Sequence, residues 1–188
     1  MPYRRTPFVS GEHYHFYNRG NNFENIFLFR EDYVRFLHLL RRYIVSNRTA
    51  DILAYCLMPN HYHLLVHLRV DNLSAPMQAM TVAFAKGVNK KYGRVGRLFE
   101  APFQAIHVAR QDYLELLMTY IHRNPVEAGL AKSAEEWEFS SYRDYVGLRK
   151  GTLVEASRMA SSGVGRMAGL VDNFGKRESD LISDMTLE

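Results

Sequence analysis

Two periods of hydrophobic and polar positions run along this chain. Residues 12–17 predict a short strand, closed by the turn-forming cluster Asn18-Arg19-Gly20-Asn21-Asn22. Over 31–47 the apolar positions Val34, Leu37, Leu40, Tyr43 and Ile44 recur at helical spacing. Residues 51–58 are a nearly continuous apolar run after a polar break, the pattern of a buried strand. Met58-Pro59-Asn60 is turn chemistry and 61–70 resume as a strand, so the two segments predict a hairpin. Helical periodicity returns over 73–92, through Met77, Met80, Phe84 and Val88, and ends at Gly93. A basic, glycine-bearing loop at 93–96 leads to a fourth strand over 103–108. A last helix over 111–124 is expected to stop at Pro125, because a proline pushes the residue before it out of the α region.

This order predicts an α+β fold, a ferredoxin-like βαββαβ antiparallel sheet with an added C-terminal helix. A length of 188 residues suits one domain. The domain is expected over 1–150, with 151–188 a weakly ordered appendage, since Ser161-Ser162-Gly163, Gly165, Gly169 and an acidic terminus loosen the pattern there. No internal repeat is evident.

Composition narrows the class. At 47% hydrophobic and 23% charged residues the chain is not a disordered one. Its single cysteine, Cys56, has no internal disulfide partner, so a reduced, cytoplasmic protein is expected. The longest apolar stretch, 52–58, is far short of the ~20 residues that span a bilayer, and no apolar segment follows the basic N-terminus as in a secretory signal. Charge is uneven. Residues 1–110 carry 15 Lys and Arg against 7 Asp and Glu, whereas 111–188 carry 9 against 13, so a body of +8 precedes an end of −4. A basic body with a sequence pI near 9.2 suits a polyanionic partner, because its cations release counterions condensed on phosphates.

The most specific local feature is Asn60-His61-Tyr62-His63-Leu64-Leu65-Val66. On a strand, residues i and i+2 face one side, so His61 and His63 present two imidazoles to one point while Tyr62, Leu64 and Val66 face the helix-covered side. Two neutral imidazoles suit a divalent first-row cation. The bland alternative is a pair of polar positions on a half-buried strand. His13-Tyr14-His15 repeats the spacing on the first strand, which neighbours the third in this topology. His15 is then either a ligand or substrate contact, or a hydrogen-bonded sheet histidine. His67 and His107 read as supporting or structural. On the last helix Tyr120 and Asn124 share a face at i,i+4 while His122 points elsewhere. A tyrosine hydroxyl is a nucleophile once its proton is lost, and a carboxamide oxygen is a third metal ligand. Equally, Tyr120 packs in a core and Asn124 caps the helix.

Taken together, these motifs resemble a known family. His61-Tyr62-His63 after Met58-Pro59-Asn60 is similar to an HUH motif, followed at the expected distance by Tyr120-Ile121-His122-Arg123-Asn124-Pro125-Val126-Glu127-Ala128-Gly129-Leu130. With the opening His15-Phe16-Tyr17-Asn18-Arg19-Gly20 and the later Phe139-Ser140-Ser141-Tyr142, the chain resembles a single-tyrosine transposase of the IS200/IS605 type, in its REP-associated tyrosine transposase branch. The likeness covers roughly residues 8–150. It implies an endonuclease and strand transferase acting on single-stranded DNA near hairpins. In such an enzyme Tyr120 forms a 5′-phosphotyrosine, and His61, His63 and Asn124 hold Mg²⁺ or Mn²⁺. It makes Arg4, Arg5, Arg19, Lys86, Lys90, Lys91, Arg94 and Arg97 candidates for phosphate contacts, and aromatics such as Tyr3, Phe8, Tyr17 and Phe23 candidates for stacking on bases, although most Phe and Tyr residues are expected in the core. A monomer or a homodimer is compatible with it.

Two other readings use the same residues. One is a non-catalytic ferredoxin-like nucleic-acid-binding module working through strand aromatics and basic loops. The other is a small metallohydrolase with a metal-activated water. Only the transferase needs Tyr120 to point at the His61/His63 face.

Overall fold

In a computed structural model the described residues are 7–154, 169–171, 174–175 and 182. The strands are β1 (His13–Arg19), β2 (Ala50–Met58), β3 (His61–Leu68) and β4 (Gln104–Val108). The helices are α1 (Arg30–Leu40), α2 (Ser74–Tyr92), α3 (Gln111–Glu127) and the single turn α4 (Tyr142–Tyr145). The strands form one antiparallel sheet in the order β2-β3-β1-β4, with β1 central beside β3, as the expected βαββαβ order with an added helix requires. Among the described residues no helix is long and apolar enough to cross a membrane.

Alternation along β3 sorts the two faces. Tyr62, Leu64, Val66 and Leu68 join Phe36 and Leu40 of α1 and Met77, Met80, Phe84 and Val88 of α2 in one core. Leu65 faces the other way and packs with Leu53, Cys56 and Met58 of β2 beneath Leu114, Leu117, Met118 and Ile121 of α3. Every residue of β2 is buried, which accounts for its apolar run from Ile52 to Met58. The outer edge of β2 is sealed by a later segment. Leu57 N–H donates to Phe139 O and Ser141 N–H to Tyr55 O, both at 2.9 Å, and the Trp137 indole donates to Leu57 O at 3.0 Å. Arg149 fastens the same segment, bonding to both carboxylate oxygens of Asp144, to Tyr55 Oη and to the carbonyls of Glu138 and Ser140.

Three expectations are corrected. The first strand continues through Asn18 and Arg19, which pair with Tyr62 and His61, so the turn begins only at Gly20. Ladder pairing outweighs the turn preference of Asn18, and the sharp bend falls where a Cβ on Gly20 would meet Glu24 O at 2.0 Å. The first helix does not run evenly to 47. After Leu40 it widens into a π-helical turn, Arg41–Val45, in which Ser46 N–H reaches Arg41 O. The third helix is not stopped by Pro125. It continues to Glu127 with Pro125 buried inside it, and Ala128 N–H still donates to Asn124 O while Leu130 N–H takes Pro125 O. A proline near a helix end forfeits one bond, and burial of its ring plus the closing bonds at Gly129 (φ 68°) outweigh that loss. The appendage expected over 151–188 lies mostly outside the described residues. Where described, Leu153, Val171, Phe174 and Ile182 are buried against the two cores.

Candidate active site

Strand β3 carries His61 and His63 onto the face that α3 partly covers, opposite α1 and α2. The two rings meet edge to face with centroids 5.0 Å apart. Tyr120, in the middle of α3 and 8% exposed, sets its ring edge-on to His63 at 5.8 Å. One turn further on, Asn124 is half-buried and its Nδ2 donates to Tyr120 O at 3.2 Å. The carboxamide therefore lies along the helix that carries Tyr120 and does not cap its end, and Oδ1 is the atom with lone pairs to offer.

Each histidine is oriented through its Nδ1. His61 Nδ1 lies 2.7 Å from Asn60 Oδ1, an atom that only accepts, so the neutral His61 ring carries its proton on Nδ1 and its lone pair on Nε2. His63 is wholly buried, and its Nδ1 lies 2.9 Å from His15 Nε2. The donor set chemistry fits a divalent cation, with two neutral imidazole nitrogens and one carboxamide oxygen. Among the described residues no three His, Cys, Asp or Glu side chains are placed to hold a metal, so a cation bound here would complete its shell from Asn124, water or substrate.

His122 points to the other side of α3. Ser141 Oγ donates to Tyr55 O and accepts from Tyr55 N–H, which leaves one lone pair for His122 Nε2–H at 2.8 Å. The shared hydroxyl ties α3 to β2 and makes His122 a structural residue. His67 and His107 are also engaged. His67 faces Asp51 at 3.5 Å and His107 faces Glu12 at 2.9 Å.

Burial pushes His63 and His122 down to about 3, and burial with the neighbouring His63 pushes His15 well below the usual histidine range. All three are neutral in the folded chain but take up protons below about pH 6.5 once unfolded. The unfolded state then binds more protons, so their contribution to stability is full above pH 6.5 and is lost as pH falls, towards about 3 for His63 and His122. Each adds a slope of up to ~1.4 kcal/mol per pH unit inside that window. His122→Gln keeps an amide near the Nε2 position and removes one titrating ring. Urea unfolding of the metal-free protein between pH 6 and 4.5 should show a slope smaller by about that amount, and an unchanged slope would place the His122 titration elsewhere.

The candidate cations divide between places. Arg19 holds Glu100 at 3.0 Å and lies 4.0 Å over the Phe23 ring, while Arg94 holds Glu24 at 2.6 Å. The loop carrying Arg94 and Arg97 lies against the turn after β1, through Asn21 N–H to Leu98 O and Glu100 N–H to Arg19 O. Since Arg19 is paired with His61 in the sheet, this group sits at the His61 end. Lys86 and Lys90 ride on α2, across the sheet from the histidines, and Lys91 is bound to the buried carboxylate of Asp32 at 2.9 Å. Arg4, Arg5 and Tyr3 lie outside the described residues. Sequence reading missed the orienting role of Asn60, for which an Asn immediately before the first strand histidine is the available signal. It also missed the Asp51–His67 pair, marked by an acid opening an apolar strand.

The family model for IS200-like transposases matches residues 8–124, from just before β1 to Asn124. No curated protein gives a match. Among solved structures, that of a REP-associated tyrosine transposase bound to a REP hairpin is similar with a TM-score of 0.65 and 18% identity, covering 82% of this chain and 98% of that one. At that identity the likeness speaks for the fold, while the family match takes in both strand histidines, Tyr120 and Asn124. On that match the chain belongs to the family of IS200-like transposases.

Proposed function

We propose that this protein is a metal-dependent nicking and rejoining enzyme for single-stranded DNA near a hairpin, with Tyr120 as its nucleophile. The observation that carries the reading is the meeting of Tyr120 from α3 with His63 from β3, which sets a phenol beside a pair of oriented imidazoles. Tyr120 Oη attacks the scissile phosphorus, the bond to the 3′ oxygen breaks, and the products are a 5′-phosphotyrosine and a free 3′-OH. The phenol proton leaves as the bond forms and a proton is taken up by the departing 3′ oxygen. One phosphodiester replaces another, so the reverse attack by a 3′-OH rejoins strands without an external energy source. His61, His63 and Asn124 are the residues to hold Mg²⁺ or Mn²⁺. Such an ion, when bound, polarises the phosphate and steadies negative charge on the oxygens. Arg19, Arg94 and Arg97 line the approach at the His61 end and would track the phosphate backbone. The hairpin partner is supported by the similar structure, which is of a protein bound to a REP hairpin.

The test is a hairpin oligonucleotide with single-stranded flanks, labelled on either side of the stem and incubated with Mn²⁺ or Mg²⁺. The expected result is a protease-sensitive covalent adduct on the new 5′ end of the fragment that lies 3′ of the break, absent with EDTA. Retention of the hairpin with no adduct under any metal condition would favour the non-catalytic binding module instead.

A further inference from the structure

The geometry points to His15 as a positioning residue that selects the metal-binding tautomer of His63, an inference resting on the metal reading of the site above. His15 belongs to β1 and faces Leu65 in the ladder, yet its ring leans along the sheet to meet His63 edge to edge, with centroids 5.1 Å apart and planes within 16°. Tyr17 lies against both rings, its centroid 5.2 Å from His15 and 6.3 Å from His63, and the His15 ring is wholly buried. The two imidazoles therefore have fixed planes, with His15 Nε2 and His63 Nδ1 held 2.9 Å apart.

Two neutral rings in that contact share one hydrogen, and its owner decides what His63 offers. If His15 Nε2–H donates, His63 carries its own proton on Nε2 and has no lone pair there for a cation. If His63 Nδ1–H donates, His63 Nε2 bears the lone pair and His15 carries its proton on Nδ1. That His15 Nδ1 is buried and meets no hydrogen-bond partner among the described residues. A cation can take the lone pair of His63 Nε2 only in the second arrangement, so it is cation binding that draws the proton of His15 to Nδ1. Asn60 Oδ1 presents His61 with an acceptor permanently, whereas His15 becomes one by moving its proton from Nε2 to Nδ1. The two ligands are thus held by different means, one fixed and one convertible.

The test is Mn²⁺ affinity of the full chain without DNA, measured by electron paramagnetic resonance, for wild type, His15→Gln and His15→Phe, each checked for folding by thermal melting. Glutamine retains an acceptor near the Nε2 position and should bind within about threefold of wild type. Phenylalanine fills the space without an acceptor and should bind about 10–100-fold more weakly, the range typical of lost ligand-orienting partners. Because His15→Phe replaces a buried ring and is the variant at risk of misfolding, nitrogen-15 spectra of the wild-type histidines follow the same point directly under Mg²⁺. At saturation both His63 and His15 should carry their protons on Nδ1. Wild-type affinity in a folded His15→Phe, equal weakening by both variants, or a proton remaining on His63 Nε2 under Mg²⁺ would overturn the role of His15. A wild-type chain that binds neither ion would overturn the metal reading together with it.

Discussion

Tyr120→Phe should eliminate the covalent protein–DNA adduct, a loss of at least about a thousandfold, while leaving hairpin affinity unchanged. The substitution removes one oxygen and keeps the ring that packs edge-on to His63, so stability should move by no more than about 1 kcal/mol. Without the oxygen no phosphotyrosine can form, and nothing else on α3 takes its place. Tyr113 stands two turns earlier and is the rival nucleophile by spacing. Its hydroxyl is buried, meets no hydrogen-bond partner among the described residues, and burial raises its pKa above the usual phenol value, all of which oppose phenolate formation. Tyr113→Phe should therefore keep the adduct and melt at the same or a slightly higher temperature, since it deletes an unsatisfied buried hydroxyl. An adduct that survives Tyr120→Phe and disappears in Tyr113→Phe would move the reaction two turns along the helix.

The second large effect is expected at the histidines, and the two should separate by stability. His61→Ala and His63→Ala should each reduce adduct formation to background with hairpin binding intact, since the proposed phosphate contacts fall to other residues. His61 is half-buried, and its truncation should leave the fold close to wild type. His63 is wholly buried between His15, Tyr17 and Tyr120, so its truncation opens a cavity and strands the His15 ring. A cost of about 2–4 kcal/mol follows for His63→Ala, by analogy with large-to-small core changes. Adduct yield, hairpin affinity and urea unfolding on the same preparations check all three. Cleavage by His61→Ala at the wild-type rate would remove His61 from the site.

Much of this arrangement is legible in the sequence because local periodicity governs it. His61 and His63 are two residues apart on a strand and must share a face, and the helical spacing of Tyr120 and Asn124 places them on one stripe. What periodicity cannot supply is registry between distant segments. The contact of His15 with His63 depends on β1 and β3 pairing His15 with Leu65 and Tyr17 with His63, which a one-residue slip would undo. The link from His122 to Ser141 and the bonds of Arg149 to Asp144 and Tyr55 close loops over chain that carries no periodic signal. Pro125 misleads for a different reason. Its local penalty is real, but the ring is buried, and packing decides the matter. Asn18 and Arg19 mislead in the same way, as turn formers drafted into a ladder.

The seal along β2 has a consequence for how the chain comes into being. Residues 137–141, which satisfy the outer backbone of β2, leave the ribosome after all four strands and after α3. Until they emerge, β2 presents an open hydrogen-bonding edge and a row of apolar side chains, the condition under which nascent chains pair with one another. A fragment ending at 124, where the family match ends, would hold every candidate reacting group and still be aggregation-prone. The unit that must be synthesised to yield a well-behaved domain is therefore longer than the unit that contains the chemistry, and it extends at least through Arg149.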